Sequence, residues 1–417
     1  MRPHGILRAM ILRPSRGTAA ALLLALCLVV LGLTPLTGHA VGASATSPSP
    51  ASVTTLTTLS TGTPAVGAAA AILVNMDDGR VLYEQNADAR RAIASTTKIM
   101  TGILALESLP LNRIVTASKH ATDAGESEIW LVPGEKLSVE DLLYGLLIKS
   151  GNDAGVALAE ASAGSEKAFV QRMNAEAAEL GMKNSHFSNP HGLDSKDHYS
   201  SARDMSILGR YAMQNEMFRT VVGTAKTTIP WPGHTYDRVL KNHNTLVGKI
   251  PYVTGIKTGY TGKAGYCLVA SGTRDGVSMV AVVLGEPTTA RRDSDTKKLL
   301  EYGFSKYRRV VLAEKGVEMA QVDVPYHFHD QLPLVTDARL EKTVYVGDKV
   351  GRTVSVQSDL TLPVVAGDVV GTVAYQIEGQ AAGTVDLVAT RSIEKPTLAV
   401  KLRYLFDRVG YLMGWTA

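Results

Sequence analysis

The spacing of apolar residues changes along the chain, and the order of those changes restricts the fold more than any other feature. A short apolar run at 69–74 precedes a hairpin signal at 77–79 and a returning strand, which favours an antiparallel sheet. From about 95 to 208 apolar residues recur at intervals of three and four, as an inward helix face requires. Strand-like runs return between 250 and 284. Strands on both sides of a helical block predict an α+β domain.

The C-terminal part follows another pattern. From 311 to 394 Val, Thr and Gly alternate with period two between Gly-containing turns, which predicts a separate small all-β domain. At 395–417 apolar residues return to helical spacing. Several charges beside that apolar stripe argue against a spanning helix but suit an amphipathic helix in the membrane interface. A helix docked on the β domain is the alternative.

The N-terminal segment has the composition of an export signal. Its first forty residues contain four Arg, no Asp or Glu, an apolar run at 19–33 and the small-x-small pattern Gly38-His39-Ala40. The run is shorter than the roughly 20 residues that a spanning helix needs. We therefore predict a signal peptide at 1–40, with an uncleaved anchor as the alternative. Residues 41–66 are mostly small and polar and predict a flexible linker, so the α+β domain is placed at 67–310.

Charge and cysteine content exclude some classes of partner and site. The net charge of +4 is supplied by the four Arg of the signal segment, so the rest of the chain is near neutral and has no nucleic-acid footprint. Loss of that segment also removes Cys27 and leaves only Cys267, so no intramolecular disulfide is possible. The strand-like surroundings of Cys267 predict a buried, small apolar residue.

A Ser-x-x-Lys motif begins the helical block. Ser95 opens an apolar helix, and Lys98 lies one turn further on the same face. An ammonium in apolar surroundings is costly, so its pKa should fall, and a neutral amine beside a hydroxyl is a general base. The alternative is a helix-capping serine with a lysine that extends to solvent. The same pattern at Ser294 and Lys297 lies in a charged stretch and is interpreted as a solvated helix start.

Two further motifs follow in order. Ser150-Gly-Asn152 comes directly after an apolar helix, where it could supply a second hydroxyl and an amide, or could simply end the helix. Lys257-Thr258-Gly259 lies in a strand-like region, and a strand glycine often marks the close approach of another backbone. A peptide could pair there by strand addition, with its terminal carboxylate on Lys257 and Thr258. Alone, the tripeptide is also an ordinary turn.

Together the three motifs resemble the set shared by penicillin-binding proteins and serine β-lactamases. The segments 94–101, 147–154, 189–194, 199–204 and 255–261 are similar to the low-molecular-mass D-alanyl-D-alanine carboxypeptidases of the penicillin-binding-protein-5 type. The resemblance extends from about 69 to 307. It continues more weakly through 362–371, which looks like the C-terminal β domain of that family. It implies a penicillin-binding/β-lactamase-like catalytic domain followed by a small all-β domain.

The resemblance also implies roles for the catalytic residues. Ser95 would be the acylated nucleophile and Lys98 its proton acceptor. Ser150 would relay a proton, and Asn152 would hold the substrate amide. The backbone N–H groups of Ser95 and Tyr260 would form the oxyanion hole.

A second set of residues would bind the substrate. By resemblance, Lys257 and Thr258 of the Lys-Thr-Gly259 motif would hold the terminal carboxylate of the peptide or its equivalent in penicillin. Arg292 matches an arginine that assists them. Tyr260 replaces the His found in some members, which affects fine specificity but not the backbone N–H.

The resulting hypothesis is a penicillin-sensitive serine carboxypeptidase that removes the terminal D-Ala from peptidoglycan stem pentapeptides and is covalently inhibited by β-lactams. It would act at the outer face of the cytoplasmic membrane, in the periplasm or cell-wall space, attached through its C-terminal helix. No cofactor, metal or nucleotide is expected, because the histidines lack metal-ligand spacing and no phosphate-binding loop occurs.

Other functions on the same fold remain open alternatives. A β-lactamase would need an additional deacylation base, and no Glu follows the Ser-Gly-Asn motif in a matching pattern. A D,D-endopeptidase or a transpeptidase would use the same acylation. A non-catalytic wall-binding module would be expected to lose one motif, and all three are present.

Overall fold

The computed structural model describes residues 54–55 and 62–414. The predicted signal peptide at 1–40 and most of the predicted linker lie outside the described residues. So do the last three positions of the chain.

A five-stranded antiparallel sheet forms the centre of the larger domain. Its strand order is β3-β2-β10-β9-β8, and helices cover both faces. The inner strand β2 is buried along its whole length, which explains why its sequence is an unbroken apolar run rather than an alternating one. The strands are β2 (Ala70–Asn75), β3 (Val81–Gln85), β8 (Val253–Thr261), β9 (Gly265–Arg274) and β10 (Val277–Glu286).

A helical block packs on one face of this sheet. Its central helix α1 (Lys98–Ser108) is buried around most of its circumference, because other helices and the sheet surround it. The other helices of the block are α2 (Lys119–Thr122), α3 (Val139–Leu147), α4 (Asn152–Ala163), α5 (Glu166–Glu179), α6 (Ala202–Ala212) and α7 (Glu216–Gly223). Helix α8 (Thr289–Ser305) covers the opposite face of the sheet. Two antiparallel strand pairs border the block: β4 (Ile114–Thr116) with β5 (Lys136–Ser138), and the hairpin of β6 (Lys226–Ile229) with β7 (Arg238–Lys241).

The C-terminal domain consists of β-strands around its own core. The strands are β11 (Tyr307–Ala313), β12 (Glu318–Asp323), β13 (Gln331–Thr336), β14 (Leu340–Tyr345), β15 (Lys349–Val356), β16 (Val369–Ile377) and β17 (Gln380–Ala389). The short strand β1 (Thr54–Thr55), within the predicted linker, pairs with β15 at the sheet edge. Val385, Leu387 and Ala389 alternate into the core, as the period-two pattern predicts. The predicted α+β domain followed by an all-β domain is therefore confirmed.

The β2–β3 hairpin touches both domains. Asn75 donates a hydrogen bond to the Tyr307 hydroxyl at 2.7 Å. Arg80 forms an ion pair with Asp348 at 2.8 Å and lies over the Tyr345 ring at 4.3 Å. The residues on either side of the turn predicted at 77–79 thus contact the C-terminal domain.

The C-terminal helix α9 (Leu398–Leu412) contacts the β domain only along one side. Tyr404 and Tyr411 pack edge-on against Phe328, with ring centroids at 6.4 and 5.4 Å. The apolar stripe lies on the other side and is exposed: Leu398, Leu402, Leu405, Phe406, Val409 and Leu412. Among the described helices, none has both the length and the apolar character needed to cross a membrane.

Candidate active site

Ser95 lies on a short 3-10 turn, Ala94–Thr97, that leads directly into α1. Ala94 adopts a left-handed conformation (φ 48°), which is strained for a residue with a Cβ. Two contacts hold it there. Thr97 Oγ1 donates to the Ala94 carbonyl at 2.8 Å and lies 2.7 Å from His198 Nε2. With Ala94 in this conformation, the following residue, Ser95, lies at the surface of a cleft rather than in the core.

Lys98 is fully buried and does not extend to solvent. Its Nζ lies 2.9 Å from Ser95 Oγ, 2.6 Å from Asn152 Oδ1 and 2.7 Å from the His191 carbonyl. Burial, and then the nearby charge of Lys257, hold the pKa of Lys98 well below its usual range. The alternative of a solvent-exposed lysine is therefore wrong.

These contacts also determine where the lone pair of a neutral Lys98 amine points. The His191 carbonyl can only accept, and Asn152 presents its oxygen because its Nδ2 donates to the Gly125 carbonyl at 2.8 Å. The two N–H groups of the amine are used on these oxygens. The lone pair is left facing Ser95 Oγ, the geometry that a general base needs.

Ser150 and Asn152 are placed by the loop between α3 and α4. Ser150 has a left-handed backbone (φ 70°) and is buried, and Asn152 is the first residue of α4. Ser150 Oγ accepts a hydrogen bond from Lys257 Nζ at 3.0 Å. Because it accepts there, its own hydroxyl proton is available to a third group. The loop thus connects Lys98, through Asn152, to Lys257 of the third motif, through Ser150.

Lys257 lies on the edge strand β8 with its side chain 1% exposed. Its Nζ donates to Ser150 Oγ and to the Thr258 carbonyl, both at 3.0 Å. An ammonium has three donors, so one remains for a ligand. Burial, together with the charge of Arg292, lowers the pKa of Lys257 to about 7.

Gly259 is required where β8 approaches the turn that carries Ser95. A Cβ at this position would lie 2.9 Å from the Ser95 nitrogen and the Ile93 carbonyl oxygen, and 3.0 Å from the Thr96 nitrogen. The expected close approach of another backbone is therefore present, and that backbone is the Ser95 turn. Tyr260, the next residue, is exposed and packs on Tyr266 at 4.4 Å.

An open cleft of about 710 Å³ collects the predicted site residues. Those that line it are Ser95, Ser150, Thr258, Gly259, Tyr260 and Arg292. Lys98 and Lys257 lie beneath, bonded to Ser95 and Ser150, and Asn152 is bonded to Lys98. Arg292 is buried at the start of α8, where Asp293 at 2.7 Å partly balances its charge. The three motifs, far apart in sequence, thus meet at one place.

Some residues of the site were missed by sequence reasoning. The sequence characterises the histidines at 191 and 198 only by their lack of metal-ligand spacing, but the first supplies its backbone carbonyl to Lys98 and the second supports the Ser95 turn. Asp153 accepts from the Ile129 and Leu131 nitrogens at 3.0–3.1 Å and so holds the loop beside Ser150. The only available signal was their position next to recognised motifs. Burial lowers the pKa of His191 to about 3 and that of His198 to about 4, so both are neutral.

Two other sequence interpretations concern residues outside the cleft. Ser294 and Lys297 are exposed on α8 and so are solvated as expected, but the helix begins earlier than expected, at Thr289. Cys267 is buried in β9, and burial raises the pKa of its thiol to about 11, so it is an inert apolar residue as predicted. No cluster of His, Cys, Asp or Glu suited to a metal ion occurs within the described residues.

Comparison with known proteins places this geometry in a family. Residues 57–288 match the family described as D-alanyl-D-alanine carboxypeptidase, and residues 307–395 match the C-terminal domain of penicillin-binding protein 5. The chain is 36% identical over 338 residues to DacF of Bacillus subtilis, covering 79% of this chain and 86% of the relative. It is 35% identical over 352 residues to Escherichia coli DacA, with 81% and 86% covered.

Solved structures agree with these relatives. Penicillin-binding protein 5 from Haemophilus influenzae is 31% identical, with a TM-score of 0.58 and 81% of this chain and 100% of that chain covered. A Streptomyces DD-transpeptidase is 35% identical, with a TM-score of 0.56 and coverage of 58% and 99%. With a family match over more than half its length and two relatives covered to 86% of their length, the chain belongs to the D-alanyl-D-alanine carboxypeptidase family of serine peptidases.

Proposed function

We propose that this protein is a serine D-alanyl-D-alanine carboxypeptidase that removes the terminal D-Ala of peptidoglycan stem pentapeptides through an acyl-enzyme on Ser95. One observation carries the proposal. Lys98 is buried, its pKa is lowered, and its remaining hydrogen-bonding position faces Ser95 Oγ. This arrangement activates a hydroxyl at neutral pH. For stability alone, an apolar residue would serve better than a buried lysine.

Acylation follows from these contacts. Ser95 Oγ attacks the carbonyl carbon of the penultimate D-Ala while the Lys98 amine takes the hydroxyl proton. The oxyanion is stabilised by the backbone N–H groups of Ser95 and Tyr260, which lie on either side of the Gly259 contact. As the C–N bond breaks, the leaving D-Ala nitrogen receives the Ser150 proton, which Lys98 replaces. Water then hydrolyses the ester and releases the tetrapeptide.

The terminal carboxylate is bound by positive charge below the cleft. Lys257 has a free donor, Thr258 offers its hydroxyl from the cleft wall, and Arg292 adds a second cation. A carboxylate stabilises the charged form of Lys257 and raises its pKa from about 7 on binding. Peptides without a free C-terminal carboxylate lack this interaction, which explains a carboxypeptidase specificity.

β-Lactams would acylate Ser95 in the same way. No Asp or Glu side chain belongs to the lining of the cleft in the described part of the chain, so an activated deacylating water lacks the carboxylate base that a β-lactamase would supply. We expect a long-lived penicilloyl ester and inhibition rather than rapid penicillin hydrolysis.

The test is release of D-Ala from a pentapeptide ending in D-Ala-D-Ala. The wild-type protein should release D-Ala, Ser95→Ala should abolish release, and Lys98→Met should lower it by at least ~10³-fold because the base is lost. Ser294→Ala, in the second Ser-x-x-Lys pattern, should match wild type. Labelling by a fluorescent penicillin without release of D-Ala would refute the carboxypeptidase and support a silent binding module.

A transpeptidase is the second candidate, because one solved relative is a DD-transpeptidase. Both activities use the same acyl-enzyme and differ in whether water or an amine attacks it. Adding a peptide amine to the assay distinguishes them. A transpeptidase forms a cross-linked product in proportion to amine concentration, whereas a carboxypeptidase continues to form the tetrapeptide.

The domain arrangement and location form part of the proposal. Residues 1–40 would be a signal peptide and 41–66 a linker, followed by the catalytic domain at 67–310 and the β domain at 311–394. The helix at 395–417 would attach the exported protein to the outer face of the cytoplasmic membrane. The exposed apolar stripe of α9 supports this proposal, because docking by Tyr404 and Tyr411 leaves that stripe uncovered.

Liposome flotation tests the anchor. Loss of residues 396–417 or the change Leu405→Glu should reduce binding to anionic vesicles at least fivefold, because an apolar contact becomes a charged one. Val365→Glu is the matched control, since Val365 is 57% exposed against 53% for Leu405 but lies in the β domain. Equal binding of all four proteins would refute the anchor.

A further inference from the structure

A group of aromatic rings lies beside the catalytic cleft, and we call it the aromatic platform: Trp130, Trp231, His234 and Tyr236. Trp130 and Trp231 lie with nearly parallel planes (21°) and ring centroids at 6.5 Å. His234 stacks on Trp231 at 4.2 Å, and Tyr236 meets Trp231 edge-on at 5.6 Å. Trp130 is 55% exposed and Tyr236 is 61% exposed. Exposing so much aromatic surface is unusual for a soluble domain and indicates a binding surface.

The platform is built on a buried ion pair. Arg238 of β7 and Glu135, in the loop before β5, lie 2.7 Å apart with both side chains almost fully buried. The guanidinium of Arg238 also lies 5.0 Å from the centre of the Trp231 ring and donates to the Trp130 carbonyl at 3.3 Å. A buried ion pair contributes little net stability but holds one geometry. Here it holds the two segments that carry the tryptophans, which are far apart in sequence.

The platform is continuous with the catalytic cleft. Lys149, next to Ser150, lines the cleft and places its Nζ 4.9 Å above the Trp130 ring. Val239 and Lys241, from the hairpin strand that follows Tyr236, also line the cleft. A ligand that leaves the cleft past Lys149 therefore passes onto the aromatic rings.

We propose that the aromatic platform binds a sugar ring of the glycan strand to which the stem peptide is attached. The proposal rests on the proposed function, because it extends the substrate from the peptide to the glycan. The C–H hydrogens on one face of an N-acetylated sugar carry partial positive charge, and the faces of aromatic rings are negative, so the two stack. The edge of the sugar bears hydroxyl and acetamido groups, which Lys149 and His234 can hydrogen-bond.

The length of the substrate suits this arrangement. Four residues of a stem pentapeptide separate the scissile bond from the sugar, and when extended they span at most ~14 Å. A peptide acylated at Ser95 therefore leaves its sugar near the rim of the same cleft. Peptide side chains alone would not require rings spread over two separate segments of the chain.

Paired substrates test the proposal. The value of kcat/KM for D-Ala release is measured with a free pentapeptide and with the same peptide on an N-acetylglucosamine–N-acetylmuramic acid disaccharide. Trp130→Ala and Trp231→Ala should each lower kcat/KM for the disaccharide substrate by roughly three- to tenfold, the value of one aromatic contact. The free peptide should change less than twofold. Trp130→Phe should retain part of the preference, and Val132→Ala, an exposed neighbour on the same loop, should retain all of it.

Two results would overturn the proposal. The tryptophan variants could keep wild-type kcat/KM on both substrates, or they could lose kcat/KM equally on both, so that in either case the ratio between the substrates stays within twofold of wild type. Equal loss on both substrates would assign the rings to the peptide or to cleft stability. If wild type releases no D-Ala from either substrate, the proposed function fails instead. Calorimetric binding of the disaccharide-pentapeptide to Ser95→Ala, with and without Trp130→Ala, then decides the platform: equal affinity refutes it, and a three- to tenfold difference supports it.

Discussion

Replacing Gly259 by Ala tests how closely β8 must approach the nucleophile. The added Cβ would lie 2.9 Å from the Ser95 nitrogen and from the Ile93 carbonyl oxygen, whereas ordinary contact begins at 3.4 Å. Strand and turn must therefore separate by about 0.5 Å, because both neighbours are backbone atoms that cannot rotate away. Catalytic geometry tolerates displacements of only ~0.5 Å. The two N–H groups proposed for the oxyanion hole lie on the two sides of this contact.

The expected effect is a loss of transition-state stabilisation. Removal of one oxyanion donor typically lowers a rate by 10²–10³-fold, so we expect acylation about 100-fold slower, or ~2.7 kcal/mol. The assay is the second-order rate of Ser95 acylation by a fluorescent penicillin, together with D-Ala release. KM for the peptide should change less than kcat, because Lys257 and its carboxylate-binding donor are retained.

A matched control separates this effect from general damage. Gly262 follows the same strand, and a Cβ there would have no neighbour within 4 Å, so Gly262→Ala should acylate at the wild-type rate. Both variants should retain the wild-type circular dichroism spectrum. If Gly259→Ala acylates within threefold of wild type, β8 does not supply the oxyanion hole.

Two more predictions concern charge and support of the nucleophile. Substrate binding needs charged Lys257, so kcat/KM should fall as pH rises through about 7, where Lys257 of the free enzyme loses its proton. Acylation needs neutral Lys98, so kcat/KM should also fall in acid, where Lys98 gains a proton. Thr97→Val should lower the free energy of unfolding by ~2 kcal/mol and slow acylation, because it removes a hydrogen bond to the Ala94 carbonyl and leaves the His198 N–H buried without a partner.

Each of these has its own control. Under saturation the bound carboxylate stabilises charged Lys257, so the alkaline limb of kcat should lie at higher pH than that of kcat/KM. A kcat/KM that rises steadily to pH 10 would contradict the assigned role of Lys257. Thr97→Ser keeps the hydroxyl and should restore both stability and acylation. If it behaves like Thr97→Val, the hydrogen bonds are not the cause.

Local patterns predicted the parts of this protein that depend on neighbours in sequence. The spacing of Ser95 and Lys98 places both on one side of a helical turn, because the helix repeat fixes which residues share a face. The alternation in β17 predicted which of its side chains are buried, because successive side chains of a strand point to opposite faces of the sheet. The roles of the three motifs came from resemblance, and the structure brings their residues to one cleft.

Contacts between distant segments had no such signal. The bond from His198 to Thr97 and that from Asp153 to the loop at 129–131 join residues whose separation follows no helix or strand period. The sequence also did not predict which side of α9 packs on the β domain, because Tyr404 and Tyr411, which make that contact, only flank the apolar stripe in the sequence. These contacts depend on how elements pack.

The sequence by itself determined the order of strands and helices, the placement of Ser95 and Lys98 on one side of a helical turn, and the close approach of another backbone expected at Gly259. Periodicity and short spacing encode these features locally. Only the tertiary structure decided that Lys257 bonds to Ser150, that the Lys98 lone pair faces Ser95, and that Trp130 and Trp231 share one platform. These contacts form when separate elements bury their apolar faces against a common core. The polar groups that are buried where the elements meet must then form hydrogen bonds with one another.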